Sequence, residues 1–477
     1  MNRLLISAAH KSSGKTTLTI GLAAALTRRG LKVQPFKKGP DYIDPMWLGP
    51  ASGRPCHNLD FFLMPHDEIL ATVANRAAGA DLSLIEGNKG LYDGLDLDGS
   101  NSNAALAKLL RTPVVLVIDA RGMTRGIAPL ILGYQAFDRE VRIAGVILNQ
   151  LGGARHERKL RAVIEHYTDV PVIGAVHHDP GLQIVERHLG LVPSNEASAA
   201  RARIDAIADA VARQVDLDRL LAIAASADPL PETSALSQPP PASGRGNSDN
   251  IPVKIAVARD AAFAFYYPAD LEALERHGAE LIPFDTIRDP RLPAVDALFI
   301  GGGFPEVHMQ ALEANRSLRQ DIKRAIESGL PVYAECGGLM YLSRSLAWRD
   351  ERREMVGAIP ADTVMHDRPQ GRGYVRLRET DQNPWPRAGK APDKIEIPAH
   401  EFHYSRLENV AEGLRYAYEV IRGAGIDGHR DGIVHRNVLA CYTHMRDVGG
   451  NHWTARFVEF VRQCKRAASG KLQVSGK

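Results

Sequence analysis

Cys336 lies in a stretch of sequence that suits a nucleophile. The segment LPVYAECGGLMYLSRSL, residues 330–346, places this cysteine between an apolar strand-like run and a helix-like run, with two glycines directly after it. A tight turn between a strand and a helix exposes its side chain, and the N-terminus of the following helix lowers the pKa of a thiol. The pattern therefore favours a reactive thiolate at Cys336, with a small buried core residue as the alternative.

A thiolate that attacks an amide also requires donors for the developing oxyanion. The segment FIGGGFPE, residues 299–306, is typical of a strand that ends in a glycine-rich loop. Glycines at such a loop leave backbone N–H groups free to face a tetrahedral intermediate. We therefore expect the oxyanion and substrate site to include Gly302, Gly303 and Gly337.

The same chemistry requires a base, and the chain offers 17 histidines. His444, in LACYTHMRD, ends an apolar strand-like run, and the carboxyl ends of parallel strands meet at one edge of a sheet. This placement favours His444 as the base. His400 and His403, in HEFHYS, remain the alternatives.

A phosphate-binding loop is predicted near the N-terminus. RLLISAAHKSSGKTTLTIGLAAALTRRG, residues 3–30, is typical of a strand, a loop of small residues and a helix that begins at Gly-Lys-Thr, although Ala9 stands where the first glycine is expected. Backbone N–H groups would cradle the phosphates of ATP, Lys15 would offset their charge, and the hydroxyl of Thr16 would reach Mg²⁺. The predicted nucleotide contacts are Ser12, Ser13, Gly14, Lys15, Thr16 and Thr17.

Acidic residues follow two further strand-like runs. Asp41 and Asp44 lie in QPFKKGPDYIDPMWL, and Glu86 ends DLSLIE before a glycine-rich loop. Because open α/β sheets bind ligands beyond the carboxyl ends of their strands, we expect Glu86 and Asp41 to be Mg²⁺ ligands together with Thr16. A solvated loop and an ordinary strand-end acid are the alternatives.

Other residues near these strand ends are candidates for binding substrate or adenine. Asn149 ends the run GVILN and could pair with adenine, although a plain turn residue fits as well. On the substrate side we expect Asp44, Lys89, Tyr92 and Asp93.

Alternating strands and helices must position all of these groups. Short β-rich apolar runs alternate with amphipathic segments on both sides of LSQPPPASGRGNSDN, residues 236–250, which has too little apolar content to form a core. The sequence predicts two α/β domains with mostly parallel sheets, at residues 1–224 and 252–466. A linker is expected at 225–251 and a disordered tail at 467–477.

Composition excludes several functional classes. The 477 residues are 44% hydrophobic, and 59 basic residues against 56 acidic ones leave a net charge of +3 with no dense basic run. We therefore expect no nucleic-acid partner. No apolar stretch reaches membrane length and no signal-peptide pattern is seen, so we expect no membrane partner and a cytoplasmic location. The four cysteines show no metal-ligand spacing.

Taken in order, the motifs SSGKTT, PFKKGPDYIDP, GLYDG, ERHLGLVP, GGGFPE, AECGGLMYL, HEFHYS and ACYTH span nearly the whole chain. The chain resembles the cobyrinate a,c-diamide synthase family, whose members use ATP and glutamine to convert peripheral carboxylates of a tetrapyrrole into carboxamides. The resemblance implies an N-terminal P-loop domain related to dethiobiotin synthetase and a C-terminal class I glutamine amidotransferase domain. It also implies that Cys336 is the nucleophile, that His444 activates it, and that the third, acidic triad member is absent.

The resemblance further implies a reaction. Cys336 would release ammonia from glutamine, ATP and Mg²⁺ would activate a substrate carboxylate as an acyl phosphate, and ammonia would capture it along a protected path. Glutamine and a tetrapyrrole polycarboxylate are the expected substrates, and a homodimer is a possible assembly.

The sequence departs from the corrin-specific pattern at EGNKGLYDG, and DRPQGRGYVRLRET is unusually basic. Lys89, Arg368 and Arg372 could pair with the carboxylates of sirohaem, so a sirohaem amidase is the alternative activity, and a solvated basic loop is the simpler interpretation. Alternatives of another class are a partition-type P-loop switch and a tetrapyrrole-binding module without synthesis. The Cys-Gly-Gly and Gly-Lys-Thr motifs argue against both.

Overall fold

The computed structural model describes residues 1–184, 186–187, 190–191, 193–194, 200–232, 251–386 and 396–474. The chain forms two compact units, Met1–Leu236 and Ser237–Lys477. Residues 233–250 of the predicted linker lie outside the described residues. Within the described residues, no helix has both the length and the apolar character needed to cross a membrane.

The first unit is built on a parallel sheet. Its strands are β1 (Arg3–Ala8), β2 (Val33–Lys38), β3 (His57–Leu59), β4 (Leu82–Glu86), β5 (Val114–Asp119), β6 (Ile143–Leu151), β7 (Val172–His177), β8 (Glu186–Arg187) and β9 (Gly190–Leu191). Its helices are α1 (Lys15–Arg28), α2 (Ile43–Ser52), α3 (His66–Arg76), α4 (Asn103–Leu109), α5 (Ile127–Phe137), α6 (Ala154–Tyr167), α7 (Ala200–Gln214) and α8 (Leu217–Ala225), with a 3₁₀ turn at Pro180–Leu182.

Seven strands form the sheet in the order β3-β2-β4-β1-β5-β6-β7, and every pairing is parallel. The strands β1 and β2 are buried along their whole length, as expected for strands covered by helices on both faces. Neighbouring parallel strands end at the same edge, so the loops after β1, β2 and β4 meet there. This arrangement confirms the predicted parallel-sheet domain.

The second unit contains the remaining elements. Its strands are β10 (Val253–Ala258), β11 (Phe263–Phe265), β12 (Ala279–Phe284), β13 (Ala297–Ile300), β14 (Gly302–Gly303), β15 (Val332–Glu335), β16 (Ser345–Trp348), β17 (Glu351–Glu354), β18 (Asp362–Met365), β19 (Gly371–Glu379), β20 (Glu396–His403), β21 (Ser405–Glu408), β22 (Arg415–Arg422), β23 (Arg430–His435) and β24 (Val438–Cys441). Its helices are α9 (Pro268–Arg276), α10 (Met309–Ala314), α11 (Arg316–Glu327), α12 (Gly337–Leu342) and α13 (Trp453–Val474).

The main sheet of this unit is mixed, in the order β12-β10-β13-β15-β24-β23-β22-β19-β20. The pairings from β12 to β24 are parallel, whereas those from β24 to β20 are antiparallel. The prediction of a mostly parallel sheet was therefore wrong for the strands from β24 to β20 of the second unit. Short turns join β22, β23 and β24, and such turns permit only antiparallel neighbours.

The last helix differs from the sequence-based expectation. The helix α13 continues to Val474, where the sequence predicted a disordered tail from residue 467. The Ala, Lys, Leu and Gln residues in this segment are good helix formers, so the helix can extend beyond residue 466. Residues 475–477 lie outside the described residues.

Candidate active sites

Cys336 occupies the turn between β15 and α12. Its backbone has φ 48° and ψ −100°, a conformation that non-glycine residues rarely adopt, and its side chain is 7% exposed. The turn packs tightly on the end of β13, because a Cβ atom at Gly338 would lie 2.2 Å from the carbonyl oxygen of Ile300. Glycine at position 338 is what lets the turn approach so closely. The tight turn predicted around Cys336 is therefore present, whereas its side chain is buried and not exposed as predicted.

His444 reaches Cys336 because β15 and β24 are parallel neighbours. Their register pairs Glu335 with Cys441, and His444 follows three residues later. A side-chain hydrogen bond joins His444 to Cys336, and Nδ1 of His444 lies 3.2 Å from Oε2 of Glu335. Burial opposes a charge on the ring, but the hydrogen bonds to Cys336 and Glu335 outweigh it and raise the pKa of His444 to about 10.

Glu335 is the residue of this site that sequence reasoning missed. The resemblance implied no acidic partner for the histidine, whereas the structure places the carboxylate of Glu335 against Nδ1 of His444. Oε1 of Glu335 accepts hydrogen bonds from the hydroxyl of Tyr333 at 2.5 Å and from the backbone N–H of Met445 at 3.1 Å. The available signal was its position directly before the nucleophile, at the end of a buried strand.

The two alternative histidines have other environments. The ring of His400 stacks on that of His444 with centroids 5.0 Å apart, and burial together with the His444 charge holds the pKa of His400 well below its usual value. His403 stacks on Tyr442 at 4.0 Å, and its Nδ1 lies 2.9 Å from the carbonyl oxygen of Ser405. The contacts thus favour His444 as the partner of Cys336.

The glycine-rich loop lies beside both Cys336 and His444. A Cβ atom at Gly337 would lie 3.0 Å from the backbone nitrogen of Gly303, and a Cβ atom at Gly302 would lie 2.7 Å from Cε1 of His444. The structure therefore brings together the three glycines predicted for the oxyanion and glutamine site.

In the first unit, the loop after β1 leads into α1, which begins at Lys15. Gly14 has φ 85°, and a Cβ atom there would lie 2.2 Å from Nδ2 of Asn149. Nδ2 of Asn149 donates a hydrogen bond of 2.9 Å to the carbonyl oxygen of Ser13. The amide nitrogen that the sequence assigned to adenine is thus engaged in holding the phosphate-binding loop. Burial, followed by the charge of Lys37, lowers the pKa of Lys15.

Lys37 forms the centre of an acidic cluster at the ends of β2 and β4. Its Nζ lies 2.5 Å from Oδ2 of Asp44, 3.0 Å from Oε1 of Glu86 and 3.8 Å from Oδ2 of Asp41. Burial alone would lower the pKa of Lys37, but the charges of Asp44 and Glu86 outweigh it and raise that pKa. Sequence reasoning did not assign Lys37 a role, although the parallel register of β2 and β4 pairs it with Glu86.

The hydroxyl of Thr16 joins this cluster. It lies 2.6 Å from Oε1 of Glu86 and 3.2 Å from Oδ2 of Asp44. Oδ1 of Asp41 instead accepts hydrogen bonds from the backbone N–H groups of Ile43 and Asp44, at the start of α2. Asp44, which the sequence assigned to substrate, therefore occupies the position expected of Asp41.

The cluster fits one divalent ion of the kind found in nucleotide sites. In the described part of the chain, no three His, Cys, Asp or Glu side chains form a group that could hold a metal by themselves. Mg²⁺ in such sites is held by one or two carboxylates together with phosphate oxygens and water. Oε2 of Glu86 is buried and has no hydrogen-bond partner among the described residues, which suits a metal ligand.

Comparison with known proteins identifies the family. Residues 5–192 match the CobQ/CobB/MinD/ParA nucleotide binding domain, and residues 254–448 match the CobB/CobQ-like glutamine amidotransferase domain. A cobyrinate a,c-diamide synthase from Magnetococcus marinus is 47% identical over 463 residues, which cover 97% of each chain. The chain belongs to the cobyrinate a,c-diamide synthase family.

A second cobyrinate a,c-diamide synthase, from Methanosarcina acetivorans, is 42% identical over 99% of this chain and 96% of its own. Among solved structures, PurLQS from Thermotoga maritima matches 44% of this chain and 98% of its own, with 14% identity and a TM-score of 0.34. The predictions of the family, of its two-domain α/β fold and of a glutamine-dependent ligase are confirmed by the family and the relatives.

In this member of the cobyrinate a,c-diamide synthase family, the loop after β4 carries the remaining predicted substrate residues. Asn103 orders the loop, since its amide donates to the carbonyl oxygens of Asn88 at 2.5 Å and Gly90 at 2.9 Å. Oδ2 of Asp93 accepts the backbone N–H of Gly90 at 2.8 Å, and the Asp93 charge acts on Lys15.

The other substrate candidates are more exposed. Lys89 has φ 45° and an exposed side chain, while the hydroxyl of Tyr92 donates to the carbonyl oxygen of Tyr134 at 2.6 Å. Arg368 and Arg372, in the second unit, are also exposed, and Arg372 lies over the ring of Phe402 at 5.3 Å.

Proposed function

We propose that this chain catalyses the ATP- and glutamine-dependent amidation of peripheral carboxylates of a tetrapyrrole, as a cobyrinate a,c-diamide synthase. The observation that carries the proposal is the hydrogen-bonded group of Cys336, His444 and Glu335 in a chain that also holds a phosphate-binding loop and an acidic cluster. The names of the relatives supply the substrate class.

The second unit would supply ammonia. The thiolate of Cys336 attacks the amide carbon of glutamine, and backbone N–H groups near Gly302, Gly303 and Gly337 receive the developing oxyanion. His444 gives its proton to the departing nitrogen, which leaves as ammonia. Water then attacks the thioester, His444 takes up one of its protons, and glutamate and the thiolate are released.

The first unit would activate the acceptor. A substrate carboxylate oxygen attacks the γ-phosphorus of ATP, ADP leaves, and ammonia then displaces phosphate from the acyl phosphate. Lys15 offsets negative charge on the transferred group, and Lys37 balances the carboxylates beside it. Mg²⁺, held by Thr16, Asp44 and Glu86, would neutralise charge on the phosphate oxygens. A homodimer remains part of the proposal, as does a contact between adenine and the amide oxygen of Asn149, since the amide nitrogen is bonded to Ser13.

Sirohaem is the second candidate substrate. The exposed cations Lys89, Arg368 and Arg372 support a ring rich in carboxylates, but they do not distinguish sirohaem from cobyrinate. The names of relatives at 47% and 42% identity favour cobyrinate.

Mass spectrometry of the products tests the proposal. The full-length chain is incubated with ATP, Mg²⁺ and glutamine, and cobyrinate and sirohaem are offered in parallel. Two amidations of cobyrinate are expected. If only sirohaem is amidated, the substrate is sirohaem and not cobyrinate. If neither ring is amidated, a binding module or a nucleotide switch is favoured. With Cys336→Ala, glutamine should fail as nitrogen donor while ammonium still supports amidation.

A further inference from the structure

We propose that Glu335 is the positioning residue that completes a Cys336–His444–Glu335 triad within this chain. The inference rests on the proposed role of Cys336 as nucleophile. The acidic member would lie on the strand that leads into the nucleophile, directly before it, and would act through the histidine without touching glutamine.

The sheet explains why the acid and the histidine meet. Glu335 is the last residue of β15, and its register partner Cys441 is the last residue of β24. The backbone N–H of Cys336 donates to the carbonyl oxygen of Cys441 at 2.7 Å, which fixes the two strand ends side by side. The chain after β24 then returns over the end of β15, so that both Nδ1 of His444 and the backbone N–H of Met445 face the Glu335 carboxylate.

This contact assigns the two ring nitrogens of His444. Nδ1 faces Oε2 of Glu335, so Nε2 is the nitrogen that remains for the thiol of Cys336. A carboxylate on Nδ1 holds the tautomer and the orientation of the ring, and it stabilises the imidazolium that forms when the thiol gives up its proton. Both effects favour the thiolate, which is the attacking form.

The carboxylate of Glu335 is itself held in place. The side chain is 4% exposed, and its oxygens receive the hydroxyl of Tyr333, the N–H of Met445 and the ring of His444. Tyr333 in turn packs against Phe299 and Trp453, with ring centroids 5.3 Å and 4.9 Å away. These contacts fix the carboxylate in one orientation and satisfy its buried oxygens.

Other titratable groups near His444 do not replace this carboxylate. Glu335 faces the ring from the end of β15 and Cys336 from the turn after it. His400 stacks on the ring from β20, and its pKa is held well below its usual value. Arg446 lies over the ring of Tyr267 at 4.5 Å and acts on His400 as a second positive charge. The charges that act on His444 itself are those of Cys336 and Glu335, and both favour the protonated ring.

The test uses the full-length chain and compares Glu335→Gln with Glu379→Gln. Glu379 is another buried carboxylate of the same unit, paired with Arg456 at 2.7 Å and outside the proposed site, so its variant controls for loss of a buried acid. Two quantities are measured against pH: kcat/KM for glutamate release and the rate at which iodoacetamide alkylates Cys336. Cys336→Ala supplies the background from the other cysteines, and denaturant unfolding checks that each variant is folded.

Glu335→Gln should lower kcat/KM for glutamate release about 10²-fold and move the midpoint of alkylation to higher pH, because the imidazolium beside the thiolate loses its carboxylate partner. Glu379→Gln should leave the midpoint unchanged. Tyr333→Phe removes only one hydrogen bond to Glu335 and should shift the midpoint in the same direction by less, which keeps the inference testable if Glu335→Gln fails to fold.

An unchanged midpoint in both Glu335→Gln and Tyr333→Phe, or an equal shift in Glu379→Gln, would overturn the inference. Failure of the proposed function has a different result, because Cys336→Ala would then release glutamate as fast as the wild type. If Cys336→Ala is inactive and Glu335→Gln behaves like the wild type, Cys336 keeps its role and only the triad is refuted.

Discussion

A Cβ atom at Gly302 would lie 2.7 Å from Cε1 of His444. Real Cβ atoms essentially never approach a carbon so closely, so an alanine at this position must displace the ring or the loop. We predict that Gly302→Ala lowers glutamine-dependent amidation at least tenfold, because His444 loses its alignment with Cys336. Amidation with ammonium should be unaffected, since the first unit is unchanged.

Gly133→Ala is the matched control for this substitution. Gly133 lies on α5, where a Cβ atom would contact nothing within 4 Å beyond its chain neighbours and the backbone of its own helix. An alanine there should leave amidation with glutamine and with ammonium at the wild-type rates. Equal rates of glutamine-dependent amidation by Gly302→Ala and the wild type would contradict this prediction. They would show that the loop moves without displacing His444.

The contact between Gly14 and Asn149 leads to a prediction for the nucleotide site. Gly14→Ala would place a Cβ atom 2.2 Å from Nδ2 of Asn149 in a backbone with φ 85°. We expect ATP affinity, measured by calorimetry, to fall at least tenfold in Gly14→Ala. Asn149→Ala alone should weaken ATP binding less, since it removes one hydrogen bond to Ser13. A Gly14→Ala protein that binds ATP normally would contradict the assignment of this loop.

Removal of Lys37 should expose the charge balance of the acidic cluster. Lys37→Met would leave Asp44 and Glu86 without their buried cation, at a cost of about 3–5 kcal/mol in the free energy of unfolding. Mg²⁺ should raise the melting temperature of this variant more than that of the wild type, because it would bind the same carboxylates. Lys159→Met, at an exposed position of α6, is the control. Equal melting temperatures for the two variants would refute the charge-balance argument.

Asp362 gives a prediction for acid pH in the second unit. A hydrogen bond from Arg344 lowers the pKa of Asp362 to about 2, with further bonds from Asn409 and Ser345. A depressed pKa means that the stabilisation is present above the unfolded value of about 3.9 and is lost as pH falls towards 2.

Asp362→Asn should therefore cost about 1–3 kcal/mol in the free energy of unfolding at neutral pH, and this difference from the wild type should vanish near pH 2. Denaturant unfolding at several pH values measures it, and Asp350→Asn at an exposed position is the control. A difference that stays constant down to pH 2 would exclude ionisation of Asp362 as its cause.

The sequence was sufficient to predict the parts of each site that follow a strand directly. Cys336 and Lys15 are recognisable because the chemistry requires a strand, a tight turn and a helix in immediate succession. The strand-end argument also favoured His444 over His400, and the hydrogen bond to Cys336 agrees with that preference.

Contacts that depend on register between distant strands were beyond the sequence. Glu335 meets His444, and Lys37 meets Glu86, only through the pairing of β15 with β24 and of β2 with β4. Asp44 takes the place predicted for Asp41 because of α2. The first N–H groups of that helix donate to Asp41, so Asp44 is the carboxylate that contacts Thr16. The antiparallel half of the second sheet was missed because alternation of apolar residues does not give strand direction.

The pairing of β15 with β24 also has a consequence for the order of events during synthesis. Glu335 and His444 are separated by 109 residues, so Cys336 leaves the ribosome long before its histidine does. Until β24 has joined the sheet, Cys336 lacks the imidazole to which it is hydrogen-bonded in the folded unit. The nucleotide-binding unit precedes both residues and can fold first. On the proposed function, a growing chain therefore gains the ability to hydrolyse glutamine only after its nucleotide-binding unit has been made.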